Sequence, residues 1–201
     1  MRQVRLLILA AFLVCGCAGH PVKSEDVLHD ICRANHLFDL YQKERLRFTF
    51  NVRLPDKTVK RSWEWHIRSG EVFLNGEAHS QSAMFVNDIY WLLFPLKAWE
   101  DRGKTAVTVN RRRTPPLAGR ELTEVVVRYV DGKGFTPNDA YRLYVDDNLM
   151  IREWGYLKEG REPPARMTTW EDYTDFDGVS LSLLREGPAG FRVWFTDVAV
   201  E

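Results

Sequence analysis

Neither charge sign dominates this chain of 201 residues, in which 28 Lys and Arg balance 28 Asp and Glu. Without a basic excess there is no electrostatic footprint for nucleic acid, whose capture rests on neutralising phosphates. Three cysteines are too few for a disulfide framework, so an apolar core has to hold the fold. Also missing are a Gly-x-Ser-x-Gly elbow, a His-Glu-x-x-His helix, a Walker loop and a dinucleotide fingerprint. No reaction class and no cofactor is therefore indicated, and the chain reads as a non-enzyme. There is no internal repeat and no low-complexity tract, and the length suits one domain. No apolar run reaches the roughly 20 residues that a membrane-spanning helix needs.

One shorter apolar run does stand out. Leu6 to Cys17 is uninterrupted by charge, follows Arg2 and Arg5, and ends in Val14-Cys15-Gly16-Cys17. A positive segment, an apolar core and a small residue before the cut form a secretory leader. A cysteine directly after the cut is the residue whose thiol can take a diacylglycerol, so the run reads as a lipoprotein signal, with an ordinary cleaved secretory signal as the alternative. Cys17 fits, with the small Gly16 before it, whereas Cys15 would put the bulkier Val14 at the cleavage position. The expected organisation is a signal peptide at 1–16, an acylated tether at 17–24 and a single domain at 25–201. Losing Arg2 and Arg5 but no acid leaves the mature chain slightly negative. Cys15 leaves with the leader and Cys17 is acylated, so Cys32 has no intramolecular partner. Ala18 in place of Asp resembles enteric bacterial lipoproteins and implies the periplasmic face of the outer membrane, with the membrane engaged through the lipid on Cys17.

Patterning beyond the tether begins with a helix. Glu25 to Arg45 lacks Gly and Pro, and Val27, Ile31, Ala34, Phe38 and Tyr41 recur at helical spacing, which predicts an amphipathic helix of about twenty residues. The period then becomes two. Leu46, Phe48, Phe50, Val52 and Leu54 alternate with polar residues, Pro55-Asp56-Lys57 turns, and Val59 to Ile67 alternates again, which predicts a hairpin. A third strand is expected at Glu71 to Asn75. Ser80 to Trp99 is apolar at irregular spacing and reads as one or two short helices. Seven more strands are expected, at Thr105 to Asn110, Glu121 to Val130, Ala140 to Asp146, Leu149 to Leu157, Ala165 to Thr174, Val179 to Glu186 and Phe191 to Val200. Turn formers separate them. The expectation is an α+β fold in which one curved, unclosed antiparallel sheet of about ten strands wraps around helices on its concave side.

Asn87 to Gly103, with its Tyr90-Trp91-Leu92 and Pro95-Leu96-Lys97, and Gly134 to Asp146, with its Thr136-Pro137-Asn138-Asp139-Ala140-Tyr141, resemble a family of uncharacterised bacterial envelope proteins. Their order and spacing also resemble the lipoprotein-sorting carriers of the LolA/LolB-like superfold, over roughly residues 25–201. What the resemblance implies is a half-barrel with helices across its mouth and a hydrophobic cavity able to hold acyl chains. Seven Trp, seven Tyr and eleven Phe would line or fill that concavity. Alternation puts Phe48, Phe50, Trp63 and Trp65 on one face; the resemblance and side-chain size add Tyr90, Trp91, Phe94, Tyr141 and Trp154. The sequence leaves two outcomes open: a barrel filled by its own aromatics, or a gap that takes up an apolar ligand, such as a lipid or an acylated molecule. Phe94-Pro95-Leu96 is in the same way either a mobile lid or a plug.

Other clusters have plainer readings. His29, Cys32 and His36 share a helix face opposite the apolar stripe, where metal ligands would have no supporting shell, so no metal is expected. Asp172, Asp175, Asp177 and Gly178 lie among alternating residues, and Asp177-Gly178 reads as a hairpin turn instead of a calcium loop. Arg111-Arg112-Arg113, ahead of Pro115-Pro116, reads as a solvated loop, with contact to anionic headgroups or an acidic partner as the alternative.

Overall fold

The computed structural model describes residues 26–134 and 136–201. The leader, Cys17 and the tether lie outside the described residues. Twelve strands and two α-helices follow in the order α1 (Val27–Ala34), β1 (Arg45–Arg53), β2 (Thr58–His66), β3 (Val72–Leu74), β4 (Glu77–His79), α2 (Ala83–Glu100), β5 (Thr105–Arg113), β6 (Leu122–Tyr129), β7 (Ala140–Val145), β8 (Ile151–Leu157), β9 (Arg166–Thr169), β10 (Glu171–Phe176), β11 (Val179–Glu186) and β12 (Arg192–Val200). They form a seven-stranded sheet, β10-β11-β12-β1-β2-β3-β4, and a five-stranded sheet, β5-β6-β7-β8-β9. All pairings are antiparallel.

The sheets share a corner. Ala165 to Thr174 was expected as one strand, but Trp170 divides it: β9 pairs with β8 in one sheet and β10 with β11 in the other. Trp170 is 2 % exposed, and burying its indole turns the chain inward at this point. With β9 and β10 joined, the two ends of the assembly are β4 and β5, and α2 is the connection between them. This is an α+β half-barrel, unclosed on the β4–β5 side, with helices against its concave face.

Local chemistry explains where the elements begin and end. The first helix is far shorter than the apolar spacing predicts. The Asn35 side chain donates Nδ2 to the Ile31 carbonyl at 2.9 Å and to the Leu149 carbonyl at 3.4 Å, and His36 takes a left-handed φ of 53°. Asn side chains compete with the helix backbone in this way and end helices; Leu37–Gln42 continue as a 3-10 helix. Cys32 also departs from expectation, because it sits on the buried face with Val27, Leu28 and Ile31. Burial first, and then the Glu100 charge, push its thiol up to about 12, which leaves it unreactive. The short β4 has no expected counterpart. Asn75 and Gly76, with φ of 52° and 87°, make the tight turn that pairs it with β3.

Arg111-Arg112-Arg113 are no loop. They end β5, exposed, and a register shift between Asn110 and Arg113 marks a bulge there. The outer face of the five-stranded sheet carries a polar row in direct register, Asn110, Glu124, Tyr144 and Glu153. Glu124 accepts from Asn110 at 2.8 Å and from Tyr144 at 3.1 Å. Glu153 lies beneath the loop after β5 and accepts from the Leu117 and Ala118 amides at 3.0 and 2.8 Å.

Candidate functional site

The long helix decides the interior. Ser82 caps it, its hydroxyl accepting from the Phe85 amide at 3.5 Å, and α2 then covers the stretch expected as one or two short helices with two helical segments joined end to end. It kinks at Leu93, whose φ of −121° and ψ of 26° leave the helical region. Pro95 causes the kink, since its nitrogen has no proton for the Trp91 carbonyl one turn earlier. Phe94 and Leu96 are 0 % exposed, and Pro95 is buried with them. This stretch is a plug in the core.

Two buried polar clusters pin the helix. Asp88, 0 % exposed, accepts from Arg61 Nε and Nη2 at 2.5 and 2.6 Å, from Trp63 Nε1 at 2.8 Å and from Asn87 Nδ2 at 3.0 Å. A carboxylate taken out of water needs a saturated shell of this kind. At the kink, Arg185 of β11 donates Nη2 to the freed Trp91 carbonyl at 2.8 Å. Its Nη1 donates to Ser182 Oγ at 2.7 Å and to the Leu184 carbonyl at 2.8 Å, and its guanidinium carbon lies 3.3 Å from the Trp170 ring centroid. No carboxylate pairs with Arg185 among the described residues, and burial lowers its pKa to about 9. The Trp91 carbonyl that Pro95 leaves without a donor is thereby served by Arg185, whose buried Nε finds no partner.

Between α2 and the five-stranded sheet lies a cavity of about 400 Å³ lined by Gln81, Ala83, Val86, Asn87, Tyr90, Trp91, Thr136, Tyr141, Trp154 and Tyr156. Positions 83, 86, 87, 90 and 91 form one helical stripe. Opposite them stand Tyr141 and Tyr156, direct partners across β7 and β8, with Trp154 two residues back on the same face. Tyr156 donates to Asp139 at 3.0 Å. The Tyr129 hydroxyl donates to Asp101 at 3.1 Å and lies 3.0 Å from that of Tyr90. With its own proton committed to Asp101, Tyr129 takes the proton of Tyr90. Lys104 donates to the other Asp101 oxygen at 2.6 Å. Burial raises the Tyr90 pKa to about 12 and those of Tyr129 and Tyr141 further, so these phenols are neutral.

Of the nine residues expected to line a cavity, Tyr90, Trp91, Tyr141 and Trp154 do. Phe94 stands behind them, its ring centroid 4.4 Å from Tyr141 and 6.3 Å from Trp154. Phe48, Phe50, Trp63 and Trp65 belong to a closed aromatic core of the seven-stranded sheet. Phe48 and Phe50 meet Phe195 at 6.0 and 5.9 Å, and Trp63 and Trp65 meet Phe85 at 5.2 and 6.3 Å. Ala83, Val86 and Asn87 escaped notice because α2 is apolar nearly all round, which hides the stripe. Arg185 was legible: Val179, Leu181 and Leu183 alternate inward on β11, and the same parity carries Arg185 into the core.

Solved structures share this architecture. A DUF1329 family protein from Desulfovibrio piger superposes with a TM-score of 0.53 at 10 % identity, covering 89 % of this chain and 93 % of its own. A LolA superfamily protein from Nitrosomonas europaea gives 0.52 at 10 % identity, with 90 % and 94 % covered. The fold is LolA/LolB-like. A domain described as outer membrane lipoprotein-sorting, from Vibrio parahaemolyticus, gives 0.51 at 8 % identity, with 89 % and 94 % covered. At such identity the LolA/LolB-like likeness is one of fold. No protein-family model and no curated protein matches the sequence.

Proposed function

We propose that this protein is a non-enzymatic lipoprotein of the bacterial envelope that binds a lipid acyl chain or a similar apolar ligand in its half-barrel, in the service of lipid or lipoprotein transfer to the outer membrane. The observation that carries this reading is the cavity of about 400 Å³ between the Ala83–Trp91 stripe of α2 and Tyr141, Trp154 and Tyr156. Small-molecule sites are concave, mostly apolar and preformed, with a few neutral polar groups at the rim, as Gln81, Asn87 and Thr136 are here. The solved neighbours described as LolA-superfamily and lipoprotein-sorting domains support the same reading. Anchoring at Cys17 would keep the domain at the periplasmic face of the outer membrane. The Cys17→Ser chain should then lose labelled palmitate and leave the membrane fraction.

The test of the cavity is uptake of an apolar fluorescent probe by the full chain carrying Cys17→Ser, alone and with Val86→Trp. Uptake that Val86→Trp abolishes, without loss of fold by circular dichroism, supports the reading; absence of uptake in both chains sinks it. The second reading, a structural or interaction lipoprotein, is favoured by the closed packing of Phe48, Phe50, Trp63 and Trp65. It predicts no probe uptake and capture of an envelope partner.

A further inference from the structure

We infer that an aromatic platform at the end of α2 remote from the cavity docks on the lipid bilayer that holds the protein; this rests on the Cys17 anchoring proposed above and not on a ligand in the cavity. Four rings make the platform. Phe38 stands at its centre, its ring centroid 5.3 Å from that of His29, 6.5 Å from that of Tyr41 and 4.7 Å from that of Trp99. Tyr41 is 38 % exposed, and His29, Phe38 and Trp99 are each half-buried. Arg102 lays its guanidinium carbon 4.2 Å from the Trp99 ring centroid and donates to the Trp99 carbonyl at 3.1 Å.

Rings such as Phe48, Phe50 and Trp63 are closed off from water; these four share an outer surface. A contiguous patch of large exposed side chains marks an interaction site, and its chemistry selects the partner. Tryptophan and tyrosine collect where a bilayer meets water, because each has an apolar body and a polar edge. An arginine beside them keeps its stem on the ring and its charge among the headgroups. Charge alone would not bring this face to a membrane. Arg33 and Arg102 stand against Asp30, Asp39 and Glu100 on the segments that carry the rings, so the surface has no cationic excess for anionic lipid. The rings themselves carry the contact.

The course of the chain argues for the bilayer as the occupant. Cys17 and Asp26 are nine steps apart in sequence, and a fully extended chain covers at most about 3.6 Å per residue, so Asp26 stays within roughly 32 Å of the lipid on Cys17. The first helix starts at Val27, and His29 lies in its first turn. The surface closest to the anchor along the chain is thus the one with exposed rings. A short tether gives a local concentration on the order of millimolar, which makes a weak contact effective. The platform sets the orientation of the domain and leaves retention to the lipid. From Ala83, at the cavity, to Trp99 the helix advances roughly 24 Å, so contact of the rings with lipid and contact of a ligand with the cavity are separate events.

The test imposes the anchor chemically. The mature chain, residues 17–201, is coupled through the Cys17 thiol to a maleimide phospholipid in phosphatidylcholine vesicles, Cys32 being buried and unreactive. Brominated phosphatidylcholine, with bromines close to the headgroup, then quenches the tryptophans that touch lipid. The expected result is quenching that Trp99→Phe removes, because phenylalanine keeps a ring in the platform and silences the reporter. Tyr41→Glu, which puts a charge at the exposed rim, should remove it as well, with the fold kept by circular dichroism. Adding phosphatidylglycerol or raising the salt should leave the quenching unchanged. No quenching, or quenching that Trp99→Phe leaves intact and that so arises at another tryptophan, overturns the docking platform. Quenching that needs anionic lipid and vanishes at high salt overturns it too. A chain that takes no palmitate in the cell but shows the Trp99 signal when coupled would overturn the anchoring reading alone and keep the lipid-binding surface.

Discussion

The two sheets carry similar aromatic side chains on their inner faces and end up in opposite states. Against the seven-stranded sheet, Phe48, Phe50, Trp63 and Trp65 are all below one-tenth exposed and closed over by Phe85 and Phe195. Against the five-stranded sheet, Tyr141 and Trp154 are as well buried, but with Tyr156 they border a cavity shared with Ala83, Val86 and Asn87. What differs is how completely the partners cover them: Phe94 and Trp91 also meet Tyr141 and Trp154, but the small or polar Ala83, Val86 and Asn87 leave part of that face open. A count of aromatics thus says nothing about whether a barrel is full; the side chain opposite each one does.

The sharpest way to break this contrast is to cut what holds α2 between the sheets. Asp88→Ala leaves Arg61 without its carboxylate, and removing one partner of a buried pair costs about 3 kcal/mol or more. Urea unfolding should show that loss. On the filled side, Phe48→Ala opens a void in a fully packed core and should cost about 3–5 kcal/mol by the same assay. On the hollow side, Tyr156→Phe removes only its hydrogen bond to Asp139 and should cost about 1 kcal/mol. Val86→Trp enlarges a buried residue at the edge of the cavity and should cost about 1–3 kcal/mol, so lost probe uptake reports blockage where circular dichroism shows the fold kept.

The smallest effect lies on the outer face. Burial raises the Glu153 pKa, against the two amides that lower it. A carboxyl raised on folding is protonated more readily in the native than in the unfolded chain, so its contribution is fully present below the unfolded value and is lost as pH rises through the folded one. Glu153→Gln should therefore flatten the decline in stability between pH 4 and 7, and it should match the parent chain at the acidic end. Thermal unfolding across that range checks the sign.

The strands were legible wherever alternation ran between strong turn formers, as from Leu46 to Leu54 or from Val179 to Glu186. Those signals are local. The helix end at Asn35 was not legible, because an amide reaching both Ile31 and the distant Leu149 ends it. Nor was the corner at Trp170, where alternation continues but the partner strand changes. The site was half legible. Tyr90, Trp91, Tyr141 and Trp154 follow from resemblance and size, while the emptiness between them depends on Ala83 and Val86 being small at positions that only the folded chain brings opposite Tyr156.

The open side of the half-barrel exposes two strand edges, and an exposed edge can pair with that of another molecule. β4 presents only Glu77–His79, too little to serve as a template. β5 is longer, and the far end of its edge carries Arg111, Arg112 and Arg113, a bulge, and then Pro115-Pro116. Charge repels a matching edge, the bulge spoils its register, and proline cannot extend the ladder. The arginine run thereby has a use that needs no ligand and no membrane: it keeps the unclosed side of the sheet from becoming a seam between copies.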